Sequence, residues 1–225
     1  MIGNFGVKYM NEFNNYENTP TIETERLILR KFTESDLMDL YEIFRNEEVN
    51  TFLPWYPLKT VEEAKIFLYE HYLKYYELDQ GYKYAICLKS DNKPIGYLHV
   101  SMEESHDLGY GLCKKNWHNG IISEACRALI SKLKADGFPY ITATHDINNP
   151  RSGNVMKNLG MNYQYTYEEQ WQPKNKRVTF RLYQLNFHSN LKFVYMNYWK
   201  MTTVHFIETN TEKETNNENK ISNHG

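Results

Sequence analysis

Seven apolar residues, Ile121, Ile122, Ala125, Cys126, Leu129, Ile130 and Leu133, recur at helical spacing, and the run stops at Gly137. A helix that is apolar on one side only must bury that stripe against another layer. Apolar runs of strand length flank it, over residues 82–89, 95–102 and 108–113 before it and 140–147 after it. A one-sided helix set between strands predicts a mixed α/β layer around one sheet.

The remaining elements follow from local signals. Residues 21–32 alternate Leu27 and Leu29 with polar neighbours and predict a first strand. Thr33 with Asp36, and Thr60 with Glu63, are capping-box pairs ahead of two helices, the second running through Tyr72 and Tyr75. The aromatic loop Phe52-Leu-Pro-Trp-Tyr-Pro57 separates them, because proline cannot continue either helix. Asn149 offers an N-cap and Pro150 an N1 residue for a short helix ending at Gly160. Strands over 161–172 and 177–186 complete the order β-α-α-β-β-β-α-β-α-β-β, an α/β fold with no internal repeat.

The 225 residues suit one domain with an appendage. Residues 1–20 read as a polar lead-in and 21–187 as the domain. In residues 188–207, Leu191, Tyr195, Tyr198, Trp199 and Thr202 fall near helical spacing, which predicts a helix over 190–202 docked on the domain or on a partner subunit, as in a homodimer. Residues 208–225 are expected to be a disordered acidic tail. There Glu208, Glu212, Glu214 and Glu218 stand against Lys213 and Lys220, which accounts for the whole formal charge of −2. Residues 1–207 are neutral, so no basic field for nucleic acid is expected. No apolar run approaches the roughly 18 residues of a membrane span. Three cysteines without a C-x-x-C spacing, and no secretory signal, point to the cytoplasm, and no metal is expected.

Between the strand ending near Cys113 and the helix starting near Ile121 lies Asn116-Trp-His-Asn-Gly-Ile-Ile-Ser123. A strand, a glycine-bearing turn and a helix N-terminus bring several backbone N–H groups together at the positive end of a helix dipole, an anion site. Neither the Walker A nor the dinucleotide fingerprint is present.

Gly109-Tyr-Gly-Leu, Trp117-His-Asn-Gly-Ile-Ile-Ser-Glu-Ala125 and Asn149-Pro-Arg-Ser-Gly-Asn-Val-Met-Lys-Asn-Leu-Gly-Met161 occur in this order. Together they resemble the GCN5-related N-acetyltransferases (GNAT), in the branch similar to ribosomal-protein N-terminal acetyltransferases. Thr24-Glu-Arg-Leu-Ile-Leu-Arg30 is similar to that branch's first strand. The resemblance covers about residues 21–187. It implies acetyl-CoA as co-substrate, its pyrophosphate wrapped by the turn at Trp117, His118, Asn119, Gly120, Ile121, Ile122 and Ser123. It also implies that the strands before and after the long helix run parallel and splay. Pantetheine would then pair with the backbone of Leu112 and Cys113, with Asn149 and Ser152 facing the thiol. Close approach to the cofactor would explain Gly153.

Aminolysis of a thioester needs a base for the amine and an acid for the departing thiolate. Many members place the acid tyrosine seven residues after the helix asparagine, here Met156, so the resemblance shifts the role to Ser152. The glutamate often found five residues before that asparagine is here Thr144. His106, fourteen residues before Gly120, is the first choice for base, Asp107 the second, and Glu168 and Glu169 follow. Trp55, Tyr56 and Trp171 are the implied acceptor contacts. The expected activity is acetyl transfer to a primary amine by direct attack, the acceptor being a protein N-terminus or a small amine. The alternative is a non-catalytic acyl-CoA-binding module, suggested by Met156 and Thr144.

Overall fold

The computed structural model describes residues 17–188 and 192–209. The strand expected over 21–32 is two strands, β1 (Ile22–Glu23) and β2 (Leu27–Arg30), folded back on each other with Ile22 opposite Leu29. The Thr24 N–H donates to the Leu27 carbonyl at 3.0 Å, closing a tight turn that the alternation of Leu27 and Leu29 does not reveal. The Thr33–Asp36 box forms, and α1 (Leu37–Phe44) follows it. An additional short helix, α2 (Glu47–Asn50), is capped by Asn46. Thr60 caps α3 (Val61–His71), after which the chain tightens into a 3-10 turn instead of continuing as α-helix to Tyr75.

The meander β3 (Tyr82–Leu88), β4 (Pro94–Val100) and β5 (Leu108–Leu112) leads into α4 (Ile121–Ala135). Then come β6 (Tyr140–Asp146), α5 (Pro150–Asn158), β7 (Asn162–Trp171) and β8 (Lys176–Asn186). Apart from the divided first strand and the added α2, the predicted order is the observed one through β8. Hydrogen bonding nonetheless divides the expected single sheet into two, β1-β2-β3-β4-β5 and β6-β8-β7-β9, where β9 is His205–Phe206. Between them stands one parallel bridge, Asp107 with Thr142, in which the Thr142 N–H donates to the His106 carbonyl at 3.2 Å.

Both sheet faces are covered. On one, α4 and α5 bury Leu29, Ile86, Leu98, Leu129 and Ile141. On the other, α1 and α3 pack Phe44, Phe67 and Leu68 against Ala85, Cys87 and Tyr97 of the first sheet. The same face of the second sheet presents Tyr165, Tyr167, Val178, Phe180 and Leu182. That patch is covered by the C-terminal segment, through Val194, Met196, Tyr198 and Trp199.

The segment departs from expectation in two respects. Leu191 of the helix expected over 190–202 lies outside the described residues; over 192–202 the chain forms only the short α6 (Asn197–Met201), and β9 then pairs with the edge of β7. Glu208, expected in a disordered tail, is buried, accepting from Arg181 Nε and Thr166 Oγ1, each at 2.7 Å. Residues 210–225 lie outside the described residues, as do the first sixteen of the lead-in. Its end is anchored, since Asn18 Nδ2 donates to the Tyr75 and Leu78 carbonyls. No helix among the described residues is long and apolar enough to cross a membrane.

Candidate active site

Strand alternation determines which backbone groups face the space between β5 and β6. The Asp107 carbonyl and the Cys113 N–H both bond to β4, so the intervening Leu108, Tyr110 and Leu112 turn their amide and carbonyl groups the other way, toward β6. On β6, the Ile147 N–H bonds to β8, so Thr144 and Asp146 turn theirs toward β5. Past the Asp107–Thr142 bridge no strand pairing joins these two edges. Two rows of backbone donors and acceptors thus face a gap that opens toward the N-terminus of α4. This corrects the expectation for Leu112 and Cys113. The Cys113 amide belongs to β4, and the Leu112 carbonyl already accepts from Trp117 Nε1 at 2.8 Å. Leu112 keeps its N–H toward the gap, joined by that of Tyr110, while the Leu108 N–H belongs to the Asp107–Thr142 bridge.

The turn into α4 passes through left-handed backbone at His118 (φ 63°) and at the N-cap Gly120 (φ 71°). No side chain caps the helix, and His118, Asn119 and Gly120 are exposed, while Ile121 is buried and Ile122 packs at the rim of the core. Trp117 fixes one side of the turn, its indole hydrogen-bonded to β5 and its ring lying 5.1 Å below the Arg151 guanidinium of α5. Arg26 fixes the other. Its Nη1 donates to the Asn119 carbonyl at 3.0 Å while the same guanidinium pairs with Glu124, and Thr24 Oγ1 donates to that carboxylate. A groove of about 640 Å³ lined by Arg26, Gly120, Ser123 and Arg127 lies on this β1–β2 side of α4, not on the α5 side where the gap opens. Neither Arg26 nor Arg151 stands out in the sequence, because each acquires its partner only through the fold.

At the other side of the gap, Asn149 Oδ1 accepts the Ser152 N–H. Tyr110 Oη donates to the Ser152 carbonyl at 3.0 Å and lies 3.0 Å from Ser152 Oγ, whose proton is then the one shared between the hydroxyls. Burial holds the Tyr110 phenol well above its ordinary pKa, so it is a neutral hydroxyl. Met156 is buried in the core. Gly153 serves a purpose other than the one expected, since a Cβ there would stand 2.6 Å from His145 Nε2. It is the His145 imidazole, itself bonded through Nδ1 to the Asp146 carbonyl, that requires glycine.

The proton-transfer candidates separate. The His106 ring packs on Phe138 and Tyr140, with Nδ1 3.4 Å from the Ser101 carbonyl. Burial lowers its pKa. Asp107 shares a face with Gly109, Gly111, Tyr97 and His99 and stands where the two sheets meet. Its Oδ1 is buried without a hydrogen-bond partner. Burial pushes its pKa up to about 7, Thr142 pulling the other way and Glu169 adding to the rise. His99, stacked on Tyr97, is pushed down to about 4 by burial and is neutral. Trp55 is largely committed to packing on Phe44 and Phe67, with Nε1 donating to Asn50. Tyr56 is exposed, and Trp171 stacks on Phe180. The structure does not bring these three rings together, although Lys174 of the β7–β8 hairpin donates to the Asn50 carbonyl beside Trp55. Among the described residues no group of three or more potential ligands could hold a metal.

Residues 26–162 match the model of the acetyltransferase (GNAT) domain. The chain belongs to the GNAT acetyltransferase family. It is 26% identical over 146 residues to the uncharacterised N-acetyltransferase YoaA of Bacillus subtilis (strain 168), spanning 63% of this chain and 82% of that one. Among solved structures, this GNAT acetyltransferase is similar to a Vibrio cholerae protein described as a candidate ribosomal-protein-serine acetyltransferase. Here the TM-score is 0.63 and the identity 19%, covering 75% of this chain and 99% of that one. It is also similar to the microcin C7 self-immunity acetyltransferase MccE, solved with acetyl-CoA and AMP. That comparison has a TM-score of 0.65 and 14% identity, and covers 76% of this chain and 98% of MccE. At these identities the two structures establish a shared fold.

Proposed function

We propose that this acetyltransferase moves the acetyl group of acetyl-CoA to a primary amine by direct attack in a ternary complex, with Asp107 as general base. The observation that carries the reading is Asp107 itself, a carboxylate at the meeting point of the two sheets with an unpartnered buried oxygen and a pKa near neutrality. A base poised near the working pH is both sufficiently ionised and sufficiently basic. This places Asp107 ahead of His106, whose ring is engaged by Phe138 and Tyr140.

The first N–H groups of α4, at Ile121, Ile122 and Ser123, have no partner within the helix and would receive the diphosphate, with Arg151 beside the turn as a counter-charge. Backbone recognition of this kind suits a chain without a net basic field. Pantetheine amides would bond to the gap-facing backbone of Leu108, Tyr110, Leu112 and Thr144. The amine nitrogen attacks the thioester carbon, and an N–H of the β5 edge holds the developing oxyanion. Asp107 takes the amine proton. The C–S bond breaks, and the thiolate takes the Ser152 hydroxyl proton, which is replenished from solvent. Acetyl-CoA bound to MccE supports the choice of donor, and the name of the Vibrio neighbour makes a protein N-terminus one acceptor class beside small amines. The three free cysteines, two of them buried, accord with work in a reducing cytoplasm.

Calorimetry with acetyl-CoA followed by thiol release over a panel of small amines and N-terminal peptides tests this reading. Binding with amine-dependent release is expected. Absence of binding at millimolar acetyl-CoA overturns it.

A further inference from the structure

The face that carries Asp107 has two flanks. Over the first sheet it is roofed by α1 and α3, through Phe44, Phe67 and Tyr97. Over the second sheet the cover comes from the C-terminal segment, which lies outside residues 26–162 matched by the family model. This segment crosses from one sheet toward the other. Phe193 packs on Tyr140 at the start of β6, with ring centroids 4.9 Å apart. The Tyr195 N–H donates to Gln184 on β8, and its carbonyl accepts from Tyr165 Oη on β7. Asn197 Nδ2 then donates to Glu104, three residues before Asp107 in the loop entering β5.

Two adjacent rings leave this crossing differently. Trp199 turns into the apolar patch, edge-on to Tyr165. Tyr198 lies stacked on Tyr167 at 5.1 Å and keeps part of its surface exposed. The phenols of Tyr110, Tyr167, Tyr195 and Tyr198 and the Glu169 carboxylate, from β5, β7 and the C-terminal segment, are among the ionisable groups whose charge is felt at Asp107. Asn197 ties the start of α6 to the loop that leads into Asp107, so the stacked Tyr167–Tyr198 pair is held on the Asp107 side of the second sheet. We propose that the C-terminal segment is the second wall of the acceptor cleft, and that Tyr198 is a specificity-determining residue selecting amines that carry a flat, apolar body.

The proposal rests on the acetyl-transfer reading, and its test separates the two. Phenethylamine and methylamine serve as probe acceptors for the full chain and its Tyr198→Ala and Tyr198→Phe variants, with Met201→Ser on the exposed side of α6 as control. Tyr198→Ala is expected to lower the phenethylamine-to-methylamine ratio of kcat/KM by about tenfold, while the KM for acetyl-CoA stays within about twofold. Tyr198→Phe, which retains the ring, is expected to keep most of the preference. Acetyl-CoA hydrolysis takes water as the acceptor and should rise in Tyr198→Ala, because the cleft opens to solvent. An unchanged amine ratio, or, if neither amine reacts, an unchanged hydrolysis rate, overturns the proposal. A wild-type chain that neither binds nor cleaves acetyl-CoA overturns the acetyl-transfer reading instead.

Discussion

Tyr110 of β5 and Ser152 of α5 are tied across the gap, the phenol donating to the Ser152 carbonyl and lying 3.0 Å from its hydroxyl. The pair spans two elements on opposite sides of the proposed pantetheine path, so one contact ties the two sides together and, on the proposed mechanism, would also supply a hydroxyl proton. Tyr110→Phe keeps the ring and removes the tether. The expected result is a kcat lowered by about tenfold or more and a stability loss of about 1–2 kcal/mol. Ser152→Ala added to Tyr110→Phe should cost less than the two separate losses combined, because the hydroxyls act as one unit. Thiol-release kinetics and urea unfolding of the three variants measure this.

Asp107 should appear in two pH profiles. Its folded-state pKa is raised, to about 7, so its contribution to stability is fully present below the unfolded value and is lost as pH rises through 7. Asp107→Asn removes that loss. Its melting temperature should therefore exceed wild type at pH 8 and match it near pH 4. Activity runs the opposite way, with kcat/KM rising as Asp107 ionises through about pH 7 and Asp107→Asn losing on the order of a hundredfold or more. Melting curves and rates across pH 5–9 check both, and a His106→Ala variant should retain the rise.

Arg26 holds the Asn119 carbonyl of the turn while paired with Glu124. It is therefore a positioning residue for the turn proposed to receive the diphosphate, on the opposite side of α4 from the gap. Arg26→Ala is expected to raise the KM for acetyl-CoA by about tenfold with a smaller change in the acceptor KM. Glu124→Gln should do the same more weakly, since one hydrogen bond survives.

Gly153→Ala should destabilise the chain by about 1–3 kcal/mol, because its Cβ meets the His145 ring and α5 has to move. If that clash is the cause, His145→Ala should recover part of the loss when combined with Gly153→Ala, despite being destabilising alone. Chemical denaturation of the double-mutant cycle decides this.

The sequence carried the order of elements because helical spacing from Ile121 to Leu133, capping at Thr33, Thr60 and Asn149, and glycine at 137 and 160 are local signals. It did not carry the β1–β2 fold-back, since Leu27 and Leu29 alternate equally well in one long strand or two short ones. The glycine-bearing turn at Trp117 to Ser123 and the uncapped start of α4 were legible for the same local reason. Which strand-edge amides face the gap was not, because that depends on whether odd or even residues of β5 bond to β4, and one residue of register exchanges Cys113 for Tyr110. Asp107 and His106 are neighbours with similar sequence credentials, and it is the fold that distinguishes them, by packing Phe138 and Tyr140 around the imidazole and leaving the Asp107 Oδ1 buried without a partner. Tyr198 lies ninety-one residues from Asp107, and no spacing rule connects them.

The edge of β7 is closed by β9, a strand only two residues long, contributed by the stretch that crosses from the second sheet to the loop entering β5. The elements proposed to handle the donor and the proposed second wall of the acceptor cleft would consequently be encoded in separate stretches. On that reading, substitutions after Phe187 would redraw which amines are accepted without disturbing the turn, the gap or the long helix proposed to hold the nucleotide. In a lineage of such proteins, new substrates would be gained by revising a tail that folds back, and the ancestral chemistry would be inherited intact.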